Sequence, residues 1–153
     1  MIDVGDKAPD FTLPRDGGDA VTLSKELSGA VVLYFYPRDD TPGCTREAVD
    51  FTSLAAEFAA AGAKVFGISK DTVAKHGKFR DKHGLGIPLL SDAESDVCER
   101  YGTWVEKSMY GKTSLGIERA TFLIDKTGTV RNVWRKVKVP GHAEEVLDAV
   151  RAL

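Results

Sequence analysis

The sequence has little of what would staple a small secreted domain. Its 153 residues include only two cysteines, too few for a disulfide framework. Neither sign of charge dominates, with 21 Lys and Arg against 23 Asp and Glu and a formal net charge of −2. A sequence-independent grip on nucleic acid needs a basic surface, so that class of partner is excluded. Long apolar runs are missing too. The longest, Ala30–Tyr36, falls well short of the roughly 20 residues that cross a bilayer. The opening Met1-Ile2-Asp3-Val4-Gly5-Asp6 has neither a basic stretch nor an apolar segment of signal-peptide length. The expectation is a cytoplasmic protein whose thiols are reduced, with no membrane partner. In that setting a specially placed cysteine is more often chemical than structural. There is no internal repeat, low-complexity tract or linker, and a single domain over residues 1–153 is expected.

What is present is a succession of strands and helices. Phe11–Leu13 and Val21–Leu23 flank the turn-forming Asp16-Gly17-Gly18-Asp19, which predicts an N-terminal β-hairpin. Ala30–Tyr36 is apolar without alternation, as in a strand covered on both faces. Pro37 ends it. A helical pattern then runs from the region of Cys44 to Ala61, where Phe51, Leu54, Ala55 and Phe58 form a stripe that stops at Gly62. Ala63–Ser69 reads as a second covered strand, Thr72–Lys82 as an amphipathic helix, and Ile87–Leu90 as a short strand in which Pro88 marks an edge or a start. Ser95–Tyr101 suits a short helix, Ala120–Ile124 and Val130–Val139 an antiparallel pair about Asp125–Thr129, and Ala143–Leu153 a closing helix. The segment Thr103–Ser114, with Trp104 and Tyr110, is expected to be a loop of unassigned position. Alternation of this kind predicts an α/β fold with a mixed β-sheet flanked by helices on both faces.

The junction after the first long strand carries the chemistry. A strand passing through a loop into a helix delivers the helix N-terminus to the strand's carboxyl end, where sites form in open α/β sheets. Thr41 is a favoured N-cap type, Pro42 suits the first helical position, and Gly43 permits close approach to the backbone. Cys44 then falls in the first turn. Unpaired first-turn amides and the helix dipole both favour thiolate over thiol there. Cys44 also shares a helix face with Ala48, Phe51, Ala55 and Phe58, so a small core residue is the other reading of the same placement.

Pro37, Thr41 and Cys44 stand in the spacing Pro-x-x-x-Thr-x-x-Cys, and this resembles the active-site signature of peroxiredoxins. The string Phe35–Glu47 is similar to the bacterioferritin-comigratory (PrxQ) branch, as are Gly5–Leu13 and Gly116–Asp125, so the resemblance spans nearly the whole chain. It implies a thioredoxin-like fold and a thiol-dependent peroxidase of hydrogen peroxide and organic hydroperoxides, serving antioxidant defence and redox homeostasis. Residue by residue it implies that Cys44 is the peroxidatic nucleophile and that Thr41 orients the peroxide. Pro37 would shield the thiolate. Arg119 would steady the thiolate and the peroxide oxygens, and Glu47 would support Arg119. The amides of Gly43 and Cys44 would complete the oxygen cradle. No metal or other cofactor is implied, since sulfur carries the redox change. The branch implies a monomer.

Recycling is where the chain departs from the pattern. Many members of the branch carry a resolving cysteine five residues after the first, where Val49 stands. Cys98 remains. It is either a resolving residue, which requires a Cα–Cα approach within about 7 Å, or a buried residue of the short helix with Val97 and Tyr101. The second reading implies a one-cysteine enzyme reduced by an outside thiol, from thioredoxin or from glutathione with glutaredoxin.

Other motifs fall away. Gly111-Lys112-Thr113-Ser114 lacks the earlier glycine of a phosphate loop, since Glu106 stands there, and Gly84-Leu85-Gly86 lacks the third glycine of a dinucleotide fingerprint. His76, His83 and His142 have no zinc spacing and are expected at the surface. Arg131, Arg135, Lys136 and Lys138 near Trp134 read as a solvated hairpin face. A disulfide oxidoreductase would need Cys-x-x-Cys, and position 47 is Glu47. A non-catalytic or redox-sensing protein on the same fold remains the alternative function.

Overall fold

The computed structural model describes residues 2–153. Strands β1 (Thr12–Arg15) and β2 (Gly18–Thr22) form the N-terminal hairpin, closed through Asp16 and a left-handed Gly17. Then follow β3 (Ala30–Phe35), α1 (Pro42–Ser53), α2 (Ala55–Ala60), β4 (Ala63–Ser69), α3 (Val73–His83), β5 (Leu89–Ser91) and α4 (Val97–Arg100). The chain ends with β6 (Trp104–Met109), β7 (Lys112–Ile117), β8 (Ala120–Ile124), β9 (Val130–Arg135) and α5 (His142–Arg151).

Seven strands make one mixed sheet in the order β2-β1-β5-β4-β3-β8-β9. β3, β4 and β5 are parallel, and β8 runs antiparallel to β3. Alternate residues of β3 feed two cores. Val32 and Tyr34 face α1, α2, α3 and α5, while Val31, Leu33 and Phe35 face α4 and the N-terminal segment. Both faces are covered, as the apolar run of β3 requires. This is the thioredoxin-like arrangement the sequence resemblance implied, with an unequal division of helices.

Three expectations need correction, and one of the two readings of Pro88 holds. The expected single helix from Cys44 to Ala61 is two, broken at Leu54. Ser53 donates its hydroxyl to the Asp50 carbonyl at 2.9 Å, and side-chain bonds of this type compete with the helical ladder and bend it. β5 lies inside the sheet, so Pro88 marks its start and not an edge. The expected loop Thr103–Ser114 is mostly a second, two-stranded sheet of β6 and β7. Its residues are largely exposed on both sides, which erases the alternation a half-buried strand would show. The turn Tyr110-Gly111, with φ of 53° and 76°, is the two-residue type that matches strand twist. Finally, His76 and His142 are buried, at 0% and 4% exposure, and only His83 is partly open to solvent.

Candidate active site

β3 runs out at Phe35, and the chain passes through Pro37–Asp40 into α1 at Pro42. This loop is tightly held. Asp40 sits at φ 60°, a left-handed conformation that Asp tolerates better than most residues. Its carboxylate takes hydrogen bonds from Lys82 Nζ at 2.7 Å and is 2.8 Å from His83 Nε2, both at the end of α3. Thr41 occupies the N-cap of α1 but does not cap it, and its hydroxyl donates to the Arg38 carbonyl at 3.2 Å. The amides of Gly43 and Cys44 therefore have no acceptor among the described residues, and they are available to an oxygen from outside.

Cys44 is only 1% exposed and packs in the same core as Ala48 and Phe51. The core placement read from the sequence therefore holds for Cys44. Arg119 Nη2 donates to Cys44 Sγ at 3.3 Å, and Nη1 donates to Glu47 Oε1 at 2.7 Å. Sheet register explains the meeting. Ala120 pairs with Phe35, so the residue just before β8 lies where β3 gives way to the loop. Gly43 matters for the same contact. A Cβ there would stand 3.2 Å from Arg119 Nη2, closer than the guanidinium comfortably allows.

Glu47 is 1% exposed, and its Oε2 has no hydrogen-bond partner among the described residues. Burial pushes its carboxyl up to about 7, against the pull of the Arg119 charge. Arg119, also partly desolvated, is held charged by Glu47 and by Cys44. Behind the site, burial and the nearby Arg119 charge depress His142 to about 4, so this ring is neutral at pH 7 beside Thr121 Oγ1 at 2.8 Å.

In front of the site lies an open cleft of about 460 Å³. Pro37, Arg38 and Thr41 form one wall, and Trp104, Lys107, Leu115 and Ile117 of the β6–β7 hairpin form the other. Tyr110 is 97% exposed at the hairpin tip and is not among the cleft's lining residues. Lys107 was not legible as a site residue. It lies over Gly116, and its ammonium is held below the usual lysine range by partial burial and by Arg119, against the attraction of Cys44. The Tyr110-Gly111 turn was the available signal for the hairpin that carries it.

Cys98 lies elsewhere. It is 0% exposed and belongs to the core on the opposite face of the sheet from Cys44. Burial, and then the Asp92 carboxylate, drive its thiol far above the usual range. Val49, by contrast, is 42% exposed on α1. Among the described residues, the one grouping with metal-ligand atoms is Asp39, Asp71 and His76, within 4.8 Å of one another. Both ring nitrogens of His76 are already engaged within the protein, lying 2.6 Å from Asp39 Oδ2 and 3.0 Å from the Leu90 carbonyl.

A sulfur flanked by unused amides and a fixed guanidinium, on a thioredoxin-like sheet, defines the class of thiol peroxidases. Comparison with known proteins carries this further. Residues 4–133 match the AhpC/TSA family, and the chain belongs to that family. It is 51% identical over 146 residues to the putative peroxiredoxin bcp of Coxiella burnetii, covering 95% of this chain and 97% of that one. With peroxiredoxin Bcp of Bacillus subtilis it shares 47% over 150 residues, covering 98% and 96%. A solved structure of a cysteine-to-serine mutant of Xylella fastidiosa PrxQ superposes with a TM-score of 0.94 at 40% identity, covering 99% and 97% of the two chains. A trapped complex of the Xanthomonas campestris bacterioferritin comigratory protein, studied for alkyl peroxide reduction, gives 0.88 at 47% identity, covering 93% and 90%. The chain is a peroxiredoxin, an enzyme that reduces peroxide at the expense of a thiol. No helix among the described residues is long and apolar enough to cross a membrane.

Proposed function

We propose that this chain is a single-domain, one-cysteine peroxidase that acts on hydrogen peroxide and small organic hydroperoxides. The Arg119–Cys44 contact beside the unused amides of Gly43 and Cys44 carries the reading. The Cys44 thiolate attacks one oxygen of the peroxide, the S–O bond forms as the O–O bond breaks, and the sulfur is oxidised to the sulfenic acid. The leaving oxyanion takes a proton and departs as water or alcohol. Amides and guanidinium are fixed donors for the charge that grows on those oxygens. Arg suits this better than Lys because its planar fork engages two acceptors and keeps its charge. Thr41, whose hydroxyl rests on a backbone carbonyl, turns to orient the peroxide. Pro37 limits water at the sulfur.

Recycling uses an outside thiol, from thioredoxin or from glutathione with glutaredoxin. It attacks the sulfenic acid, releases water and leaves a mixed disulfide, which a second thiol reduces to regenerate the thiolate. Supporting this order, Val49 replaces the local resolving cysteine, and Cys98 lies across the sheet from Cys44. The enzyme works as a cytoplasmic monomer. The test is intact mass after one equivalent of hydrogen peroxide on reduced protein. A gain of one oxygen that disappears in Cys44→Ser is expected. Loss of two hydrogens would replace the one-cysteine cycle with a Cys44–Cys98 disulfide, and no change within seconds would overturn the peroxidase assignment at Cys44.

A further inference from the structure

The loop that presents Thr41 and Cys44 is fastened to α3 by a buried charge cluster that the reaction itself does not use. His76 on α3 is 0% exposed. Its Nε2 is 3.0 Å from the Leu90 carbonyl. A carbonyl only accepts, so Nε2 carries a hydrogen. Its Nδ1 is 2.6 Å from Asp39 Oδ2, while Asp39 Oδ1 accepts from the Tyr36 hydroxyl at 2.6 Å. Where Asp39 is ionised and accepts on both oxygens, the shared proton sits on the ring and His76 is an imidazolium. Asp39 is also tied through its backbone, whose amide donates to Asp71 Oδ2 at 2.8 Å. Asp71 is itself held by the Ser69 hydroxyl at 2.7 Å.

We propose that His76 is a positioning residue of the peroxidase cycle: its imidazolium clamps Asp39, and with it the Pro37–Thr41 loop, to α3 and so sets how readily oxidised Cys44 is exposed to an outside thiol. This rests on the peroxidase reading for its consequence, though not for the clamp. The need for such control is geometric. Cys44 is 1% exposed. A peroxide is small enough to enter the cleft, whereas a thiol on a protein partner must bring its sulfur onto one that is buried in the core at the start of α1. The loop must stay shut for the first half of the cycle and open for the second. Lys82 and His83 also hold Asp40, but at an exposed position where ion pairs contribute little. The buried His76–Asp39 pair is therefore the stronger fastening, and breaking one partner of a buried pair is costly.

The clamp has a pH sense. Asp39 on the loop, Tyr36 just after β3, Asp71 before α3 and the Leu90 carbonyl of β5 face the ring. Burial alone would lower the ring's pKa, and Asp39, then Leu90 and Asp71, outweigh it and raise it above 6.5. A raised histidine gives its stabilisation below the unfolded value and loses it as pH climbs through the folded one. The loop therefore loosens towards alkaline pH.

Hydrogen exchange of the reduced protein, followed by peptide at about pH 6 and about pH 9 and corrected for the intrinsic rate, tests this. In wild type the Pro37–Glu47 segment should exchange at least about fivefold faster at the higher pH, with β8 and α5 unchanged. His76→Gln should exchange fast in that segment at both values. It should also speed reduction of the Cys44 sulfenic acid by a protein dithiol while slowing reaction with peroxide. Should His76→Gln not fold, Asp39→Asn removes the same pair from the loop side, and ring-nitrogen NMR of wild type reports the imidazolium directly. Unchanged exchange in both variants, faster exchange spread over the whole chain, or a ring with one N–H at neutral pH would overturn the clamp. None of these outcomes bears on whether peroxide oxidises Cys44, which the mass measurement decides separately.

Discussion

Arg119 holds Cys44 and Glu47 with separate nitrogens, Nη2 at 3.3 Å from the sulfur and Nη1 at 2.7 Å from the carboxyl oxygen. The second contact fixes the plane of the guanidinium, so the first cannot drift as the sulfur attacks the peroxide. Arg119→Ala should slow peroxide reduction by about 10²–10³, the range for losing a fixed donor to a developing oxyanion. It should also lower the thiolate absorbance at neutral pH. Arg119→Lys should recover only part of the rate, since an ammonium cannot hold both partners in one plane. Stopped-flow oxidation of Cys44 checks both. A near-normal rate in Arg119→Ala would remove the arginine from the mechanism.

Thr41 makes a prediction of a different kind. Its hydroxyl donates to the Arg38 carbonyl at 3.2 Å and caps nothing. Thr41→Val should therefore cost little stability while slowing peroxide reduction by about 10- to 100-fold, the scale of one lost transition-state hydrogen bond. Thr41→Ser should keep most of the rate. Thiolate absorbance should change less in Thr41→Val than in Arg119→Ala, because the guanidinium contacts the sulfur while the hydroxyl bonds the Arg38 carbonyl. A near-normal rate in Thr41→Val with a slow Thr41→Ser would show that the methyl group, not the hydroxyl, matters.

Strong local signals explain why so much of the site was readable. Thr41-Pro42-Gly43-Cys44 after an unbroken apolar strand marks a helix start at a sheet end, and the structure puts α1 there. The register that brings Arg119 to Cys44 depends on β8 pairing with β3, a long-range fact for which only the resemblance offered a clue. The β6–β7 hairpin was illegible because both its faces meet solvent along most of its length, so period-2 patterning vanishes and with it any view of Lys107. His76 was misplaced for a related reason. A histidine in a polar helix looks like a surface residue until Asp39, distant in sequence, is known to cover it.

Glu47 and His142 set opposing slopes of stability against pH. Burial raises the Glu47 carboxyl from 4.5 to about 7, so the folded state holds a proton the unfolded chain has lost, and stability falls as pH rises across that window. Burial lowers His142 from 6.5 to about 4, so there the unfolded chain binds the extra proton and stability rises with pH. Each contribution is on the order of 3 kcal/mol at most, and they largely cancel between the two. Glu47→Gln removes only the first. Relative to wild type, the variant should gain stability steadily as pH rises from 4.5 to 7, measured by denaturant unfolding at several pH values. A constant difference across that range would show that Glu47 stays ionised beside Arg119.

Cys98 gives the sharpest separation between chemistry and packing. Its side chain lies with Val97 and Tyr101 on one face of the sheet, while Cys44 lies on the other. Its amide donates to Asp92 Oδ2 at 2.8 Å and its carbonyl accepts from the Thr103 hydroxyl at 3.1 Å. These bonds use the backbone and survive replacement of the thiol. A disulfide to Cys44 would need the two Cα atoms within about 7 Å, and the sheet stands between the two cores that hold the thiols. Cys98→Ala should therefore keep both single-turnover oxidation and steady-state turnover with an external thiol within about twofold, an effect below about 0.5 kcal/mol. It should lose about 1–3 kcal/mol of stability to the cavity left behind. A variant that oxidised normally once and then stalled would reverse the argument, because only a resolving cysteine is silent in the first turnover and needed in the second.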